Sequence, residues 1–99
     1  MGYKISKKAA EDIEDIWLYT LENWSLEQAD RYLDLLLNEI EYLAVNPTAG
    51  KDFSHVRKRY RTASVKSHII FYRHIEGQIE IEVIRVLHQR MDIENRFDE

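Results

Sequence analysis

The chain has 99 residues, of which 44% are hydrophobic and 32% are charged, a balance typical of one globular domain with a single modest core. Cysteine is absent, which excludes both a disulfide framework and a cysteine-ligated metal site. No apolar run approaches the roughly 18 residues of a membrane span, and no signal-peptide pattern is present. We therefore expect a cytoplasmic protein with no membrane partner.

The net charge of −4 is distributed unevenly along the chain. Residues 1–46 carry a net charge of −6, residues 47–75 carry +6, and residues 76–99 carry −4. A basic region inside an acidic chain predicts an acidic partner for that region.

The first helix is predicted from about Lys7 to Glu22, where apolar residues recur at helical spacing on one face. A short strand over residues 3–6 precedes it, and Ser6 is a plausible N-cap. Thr20 falls on the apolar face, where its hydroxyl can bond back to the preceding turn. Glu11, Asp15 and Glu22 line its opposite, solvated face, and Asp12 and Glu14 lie on the flanks of that face.

A second helix follows a corner at Asn23-Trp24 and begins with the capping box Ser25-Leu26-Glu27-Gln28. Asn46-Pro47 ends it. The short link predicts an antiparallel helical hairpin. The apolar stripe of the second helix is wide, so it has two possible uses, core packing or a groove for a partner helix. The stripe consists of Leu26, Ala29, Tyr32, Leu33, Leu36, Leu37, Ile40 and Leu43.

The second half of the chain has the alternation of β-strands. Residues 48–52 predict a loop, and residues 57–65 predict a strand with a basic lead-in. A hairpin follows, with strands over Ser67–His74 and Gln78–Leu87. Simple alternation places Ile79, Ile81, Val83 and Arg85 on one face of the last strand, and Glu80, Glu82, Ile84 and Val86 on the other.

These elements predict an α+β fold in one domain, with an N-terminal helical hairpin packed on a mostly antiparallel sheet of three or four strands. Residues 93–99 predict either a short helix docked by Ile93 and Phe97 or a loose tail.

Six basic residues lie between positions 57 and 73 with no acidic residue among them, and we call this stretch the basic segment. It suits either an acidic or phosphate-bearing partner or a solvated strand edge that discourages aggregation. Tyr60 and Tyr72 could stack on bases, although aromatic residues of half-buried strands more often pack in a core. The six residues are Arg57, Lys58, Arg59, Arg61, Lys66 and Arg73.

The four histidines do not have the spacing of a metal site. No glycine-rich phosphate loop is present, and no serine has a nucleophile motif around it. We expect neither a metal nor a cofactor.

The end of the chain resembles a known family. The runs Ser67-His-Ile-Ile-Phe-Tyr-Arg73 and Val83-Ile-Arg-Val-Leu-His-Gln-Arg-Met-Asp92 are similar to the end of ParE-type toxins, of the ParE/RelE superfamily of toxin–antitoxin systems. Asp12 to Trp17, Asn23-Trp24, Glu27 to Ala29 and Asn46-Pro47 extend the resemblance over essentially the whole chain.

The resemblance implies a toxin that inhibits DNA gyrase by binding, most simply its A subunit, and so blocks replication. A ParD-like antitoxin would neutralise it, with an apolar helix in the hairpin–sheet groove and acidic residues against the basic segment. Nucleic acid would be reached only through these partners. The expected antitoxin contacts are Tyr32, Leu36, Ile40, Arg59, Arg61 and Arg73.

The expected gyrase contacts are Arg85, His88, Arg90 and Met91, because polar and flexible apolar groups cluster there at a sheet end. Arg85 has an alternative use as a structural ion pair with an acidic residue of the first helix.

Two other functions remain open within the superfamily. One is cleavage of ribosome-bound mRNA, as in the RelE branch, with Arg61 and Arg85 as cations and His88 as proton shuttle. Ile69 and Gln89 depart from that branch, where an arginine and a tyrosine are usual. The other is a homologue without a target that acts with its antitoxin in transcriptional autoregulation.

Overall fold

The described part of the chain forms two helices and five strands. The structure, a computed structural model, describes residues 2–75, 77 and 80–91. In chain order the elements are β1 (Tyr3–Ile5), α1 (Lys7–Asn23), α2 (Leu26–Val45), β2 (Lys51–Asp52), β3 (Tyr60–Val65), β4 (His68–His74) and β5 (Ile81–His88). The α+β class and the helical hairpin agree with the sequence prediction.

Both helices begin at the predicted caps. The Ser6 hydroxyl oxygen accepts the backbone N–H of Ala9, and the Ser25 hydroxyl oxygen accepts that of Gln28. Each bond satisfies one of the N–H groups that a helix start leaves without an internal partner. The Thr20 hydroxyl donates to the Ile16 carbonyl at 2.8 Å, as its place on the apolar face predicted.

The sheet differs from the prediction in strand number and direction. It has five strands in the order β1-β5-β4-β3-β2. β1 runs parallel to β5, whereas the other pairs are antiparallel. The connection between β1 and β5 contains the helical hairpin and β2, β3 and β4, so it is far longer than the dozen residues that a parallel pair requires. The strand that the prediction missed is the two-residue β2, which lies inside the stretch predicted as a loop.

A β-bulge in β5 corrects the predicted alternation. Phe71 pairs with Arg85 but Tyr72 pairs with Val83, so Ile84 is the extra residue. One inserted residue reverses the facing of everything that follows it. Val86 consequently lies in the main core, not on the face predicted for it.

Two clusters of buried residues lie on opposite faces of the sheet. The main core packs Ile70, Tyr72 and Val83 against the helices. The smaller cluster centres on Phe71 and Leu87 and is covered by residues that include Phe53, Ile69 and Ile84. The end of β5 is therefore covered on both faces by this chain's own residues.

The outer edge of β5 is covered by three successive parts of the chain. β1 pairs with residues 81–83. Ser6 then donates its backbone N–H to the Val83 carbonyl at 3.0 Å and its hydroxyl to the Ile84 carbonyl at 2.9 Å. Finally, the Asp12 carboxylate accepts the backbone N–H of Val86 at 3.0 Å. The start of α1 thus continues the edge that β1 begins.

Arg85 forms the ion pair with helix α1 that was one of its two expected uses. Its Nε lies 2.7 Å from Asp12 Oδ2, and its Nη2 lies 2.9 Å from Asp12 Oδ1. The two side chains are only 16% and 14% exposed, so this bidentate pair is well shielded from solvent.

Ile79 and residues 93–99, for which the sequence predicted a strand position and a docked helix or tail, lie outside the described residues.

Replacing Asp12 by alanine should lower the free energy of unfolding by about 3 kcal/mol, because it removes the carboxylate that pairs with the Arg85 guanidinium and accepts the Val86 N–H. Urea unfolding followed by circular dichroism measures the change.

The matched control is Glu27→Ala, which breaks the 3.0 Å Glu27–Arg31 pair on α2, where the side chains are 82% and 64% exposed. Its expected cost is below about 0.5 kcal/mol. Equal costs for the two variants would show that the Asp12 contacts are not a special source of stability.

Candidate functional site

A groove of about 720 Å³ lies between α1, the start of α2 and the ends of β4 and β5. We call it the sheet-end groove. Its position follows from the fold, because the helical hairpin crosses the sheet and leaves the last residues of β5 partly open beside the interhelical corner. The lining residues that matter below are Tyr19, Trp24, Tyr32, His68, His88 and Met91.

A hydrogen-bonded cluster occupies the floor of the groove. The Tyr32 hydroxyl donates to the Val65 carbonyl at 3.0 Å and lies 2.6 Å from His68 Nδ1. The His68 ring meets the His88 ring edge to face, with 5.2 Å between centroids. His88 Nδ1 accepts the backbone N–H of Arg90 at 3.1 Å. Tyr32 and the strand ends are thereby held together.

Burial sets the protonation of this cluster. It lowers the pKa of His68 from its usual 6.5, and the neighbouring His88 lowers that pKa further. Burial also raises the pKa of the Tyr32 hydroxyl. Both groups are therefore neutral at physiological pH.

The rim of the groove is aromatic and apolar. Trp24 is 72% exposed, Tyr19 is 65% exposed and Met91 is 40% exposed. Trp24 lies at the corner between the helices, where the chain has left α1 and cannot bury the indole against its own core. Large exposed apolar groups beside a concave surface are the usual marks of a binding site.

The expected antitoxin contacts do not form one surface. Tyr32 lies in the sheet-end groove. Arg61 and Arg73 lie near the opposite end of the sheet, and Arg59 immediately precedes β3 there. Arg73 is five residues from His68 along β4, or about 17 Å at the usual rise of a strand. The set therefore divides between two regions.

Leu36 and Ile40 are corrected as partner contacts. Leu36 is 1% exposed and Ile40 is 0% exposed, and both pack in the main core against the sheet. The wide stripe on α2 thus serves core packing at these positions. Tyr72, considered for base stacking, is likewise fully buried.

Arg61 holds the loop that follows α2. Its guanidinium donates to the Gly50 carbonyl at 2.9 Å. Tyr72, its neighbour on β4, donates its hydroxyl to the Pro47 carbonyl and accepts the Gly50 N–H. A side chain at Gly50 would clash with the Tyr72 hydroxyl. Arg61 therefore has a structural role at this position.

Arg73 and Arg59 are the solvent-facing arginines among the expected antitoxin contacts. Arg73 pairs with Glu82 across the strands at 2.8 Å, with its side chain 48% exposed. Arg59 is exposed and has φ of 71°, a left-handed conformation that is uncommon for residues with a side chain.

The expected gyrase contacts lie closer together. Arg85, His88 and Met91 line the sheet-end groove, and Arg90 is exposed between the last two. Arg85 is engaged by Asp12, whereas His88, Arg90 and Met91 lie at the accessible end of β5. Sequence reasoning did not select His68, Tyr19 or Trp24. His68 had no usable signal, because its pairing with His88 depends on the β-bulge at Ile84, and a regular hairpin would place it opposite Leu87.

The described residues include no group of three or more histidine, aspartate or glutamate side chains that could hold a metal ion. No helix among them is both long enough and apolar enough to cross a lipid bilayer.

Comparison with known proteins identifies the family. The family model of the ParE toxin of the type II toxin–antitoxin system, parDE, matches residues 3–93. The chain belongs to the ParE toxin family. It is 41% identical over 95 residues to Toxin ParE1 of Mycobacterium tuberculosis, with 96% of each chain covered. It is 39% identical over 90 residues to Toxin ParE1 of Caulobacter vibrioides, with 91% of each chain covered.

A solved structure shares the ParE fold seen here. The match is to a chain described as the chromosomal ParDE TA system from P. aeruginosa, with a TM-score of 0.75 and 21% sequence identity. It covers 89% of this chain and 95% of that chain.

Acid should destabilise this ParE-family protein through His68. Because its pKa is lower in the folded chain than the usual 6.5, the unfolded chain binds more protons just below pH 6.5. The free energy of unfolding should therefore fall as the pH decreases through 6.5, until the lower folded pKa is reached. Urea unfolding at a series of pH values measures the slope.

His68→Asn should reduce this slope, since the amide retains a polar group near Tyr32 but does not titrate. His55→Asn is the control, because His55 is exposed and lies outside the groove. An unchanged slope in His68→Asn would contradict the assignment.

Proposed function

We propose that this ParE-family toxin inhibits DNA gyrase by binding, most simply at its A subunit, and performs no chemistry of its own. The observation that carries the proposal is the sheet-end groove, where exposed aromatic and apolar groups surround a neutral hydrogen-bonded floor. Such a surface suits a protein partner, because aromatic side chains and methionine are enriched at interface centres. Replication would then stop because the target is occupied.

The positions of the candidate catalytic residues favour binding over RNA cleavage. A catalytic set needs its cations and its proton shuttle within hydrogen-bond reach of one phosphate. Arg61 pairs with Tyr72 and His88 pairs with His68, so they stand four residues apart along β4, or about 13 Å. Arg61 is also bonded to the Gly50 carbonyl, and Arg85 is bonded to Asp12.

The proposed second partner is a ParD-like antitoxin. An apolar helix of the antitoxin would lie in the sheet-end groove against Tyr32 and Trp24. The antitoxin chain would then continue along the sheet and place its acidic residues against Arg59 and Arg73, the exposed arginines among the expected antitoxin contacts. Nucleic acid would be reached only through the antitoxin or gyrase.

One consequence concerns competition. Tyr32 was expected to contact the antitoxin, and His88 and Met91 were expected to contact gyrase, yet all three line one groove. An antitoxin seated there would cover the surface proposed for gyrase. Neutralisation would then be direct occlusion, and the two partners could not bind together.

Purified protein should abolish supercoiling by gyrase, or trap a cleavage complex that yields linear plasmid, while mRNA on programmed ribosomes remains intact. The double variant Arg90→Ala with Met91→Ala should raise the inhibitory concentration about tenfold, equivalent to about 1.4 kcal/mol. Arg31→Ala, on the exposed face of α2, should leave it unchanged.

Cut mRNA with normal supercoiling would overturn the binding proposal and favour the ribonuclease. If neither reaction changes, the homologue without a target becomes the better description.

The proposed contacts of Arg59 and Arg73 with the antitoxin can be tested separately, by measuring antitoxin affinity. The double variant Arg59→Glu with Arg73→Glu should weaken binding of the ParD-like antitoxin at least about tenfold, because the reversed charges repel acidic residues. Isothermal titration at two salt concentrations measures affinity and its electrostatic part. Arg31→Glu is the control for a charge reversal elsewhere, and equal affinity of all three proteins would remove the assignment.

A further inference from the structure

The hydrogen bonds around His68 determine which ring nitrogen carries its proton. A tyrosine hydroxyl has one proton, and that of Tyr32 is donated to the Val65 carbonyl at 3.0 Å. A carbonyl oxygen cannot donate, so this bond and the 2.6 Å contact between the Tyr32 oxygen and His68 Nδ1 can both be hydrogen bonds only when Nδ1 carries the proton. A neutral imidazole has only one N–H, so His68 Nε2 is an acceptor.

His88 has the opposite arrangement. Its Nδ1 accepts the backbone N–H of Arg90 at 3.1 Å and therefore carries no proton. The proton of the neutral ring lies on Nε2, which is consequently a donor. Two histidines that face each other across paired strands thus offer different groups at Nε2.

Both Nε2 atoms are available to a ligand. Among residues 2–75, 77 and 80–91, neither forms a hydrogen bond, and no buried polar side-chain atom lacks a partner there. The unbonded nitrogens are therefore in contact with solvent. Both rings line the sheet-end groove, at right angles and 5.2 Å apart. The groove floor presents one acceptor beside one donor.

Few side-chain groups complement this pair. A carboxylate only accepts hydrogen bonds, so it leaves His68 Nε2 unmatched, and Asp12 and Asp15 on the same groove disfavour it. An ammonium only donates, so it leaves the His88 N–H unmatched. A primary carboxamide carries a carbonyl and an NH₂ on one planar group, and it satisfies both nitrogens without introducing charge.

We propose that His68 and His88 bind the side-chain carboxamide of an asparagine or glutamine that a partner protein places in the sheet-end groove. A helix in the groove has its own backbone amides bonded internally, so a side chain must supply the amide. The inference rests on the proposed function only for the source of that helix. The recognition itself is a property of this chain.

The two tautomers can be measured directly in the unmodified toxin. Long-range ¹H–¹⁵N spectra of ¹⁵N-histidine-labelled protein at pH 7.5 should show His68 protonated at Nδ1 and His88 protonated at Nε2. His68 protonated at Nε2 would overturn the proposal, since the floor would then present two donors. Neither partner protein is needed, so this result is independent of gyrase inhibition.

Small probes test the recognition. Propionamide, propionate, N-methylpropionamide and propan-1-ol are titrated against the labelled protein while the Nε2 signals are followed. Propionamide should bind at least about fivefold more tightly than propionate, as one additional hydrogen bond predicts. Tighter binding of propionate or the alcohol would overturn the proposal. If N-methylpropionamide, which resembles a backbone amide, binds as tightly as propionamide, the two histidines recognise a backbone amide. The proposal that they bind an asparagine or glutamine side chain would then be overturned.

Variants locate the binding. His68→Phe and His88→Phe keep a ring in place but remove its nitrogens, and each should abolish the about fivefold preference for propionamide over propionate. His55→Phe, outside the groove, should retain it. A preference that persists in both groove variants would place the probe elsewhere and refute the assignment. Loss of the preference in a toxin that still inhibits gyrase would separate this inference from the proposed function.

Discussion

The outer edge of β5 is the constraint on which the rest of the structure depends. A central strand needs partners on both sides, yet β1 covers only residues 81–83. Ser6 and Asp12 supply the remaining hydrogen bonds from the cap and second turn of α1. Because the same Ser6 hydroxyl oxygen also accepts the Ala9 N–H, the start of the helix is fixed to the sheet. These contacts hold the start of the hairpin against β5.

The bulge at Ile84 connects this constraint to the sheet-end groove. With an extra residue in β5, Val86 packs under the helices and Leu87 packs on the opposite face. His88 is then paired with His68 at the end of the sheet, beside the helical corner. A regular strand would exchange the faces of Val86 and Leu87 and place a polar group in the main core. The one-residue shift that the bulge introduces therefore positions the groove floor.

The sequence predicted the elements that depend on local chemistry. The capping serines, the Thr20 hydroxyl bond and the end of α2 follow from side chains and backbone groups within four residues of each other. The ion pair of Arg85 was also among its expected uses. The parallel β1, the two-residue β2 and the bulge depend on tertiary hydrogen bonds that periodicity does not encode. Leu36 and Ile40 were assigned to a partner because an apolar stripe looks the same whether its cover comes from the same chain or another.

The pairing of β1 with β5 has a consequence for the newly made protein. Tyr3 lies opposite Ile81, so the first strand must wait for almost the whole chain before it finds its neighbour. The strand that is made last in the sheet also supplies four buried residues and one histidine of the groove floor. A ribosome that has translated the chain through the second helix has produced only β1 of the sheet. The sheet-end groove can therefore form only after synthesis has passed residue 88.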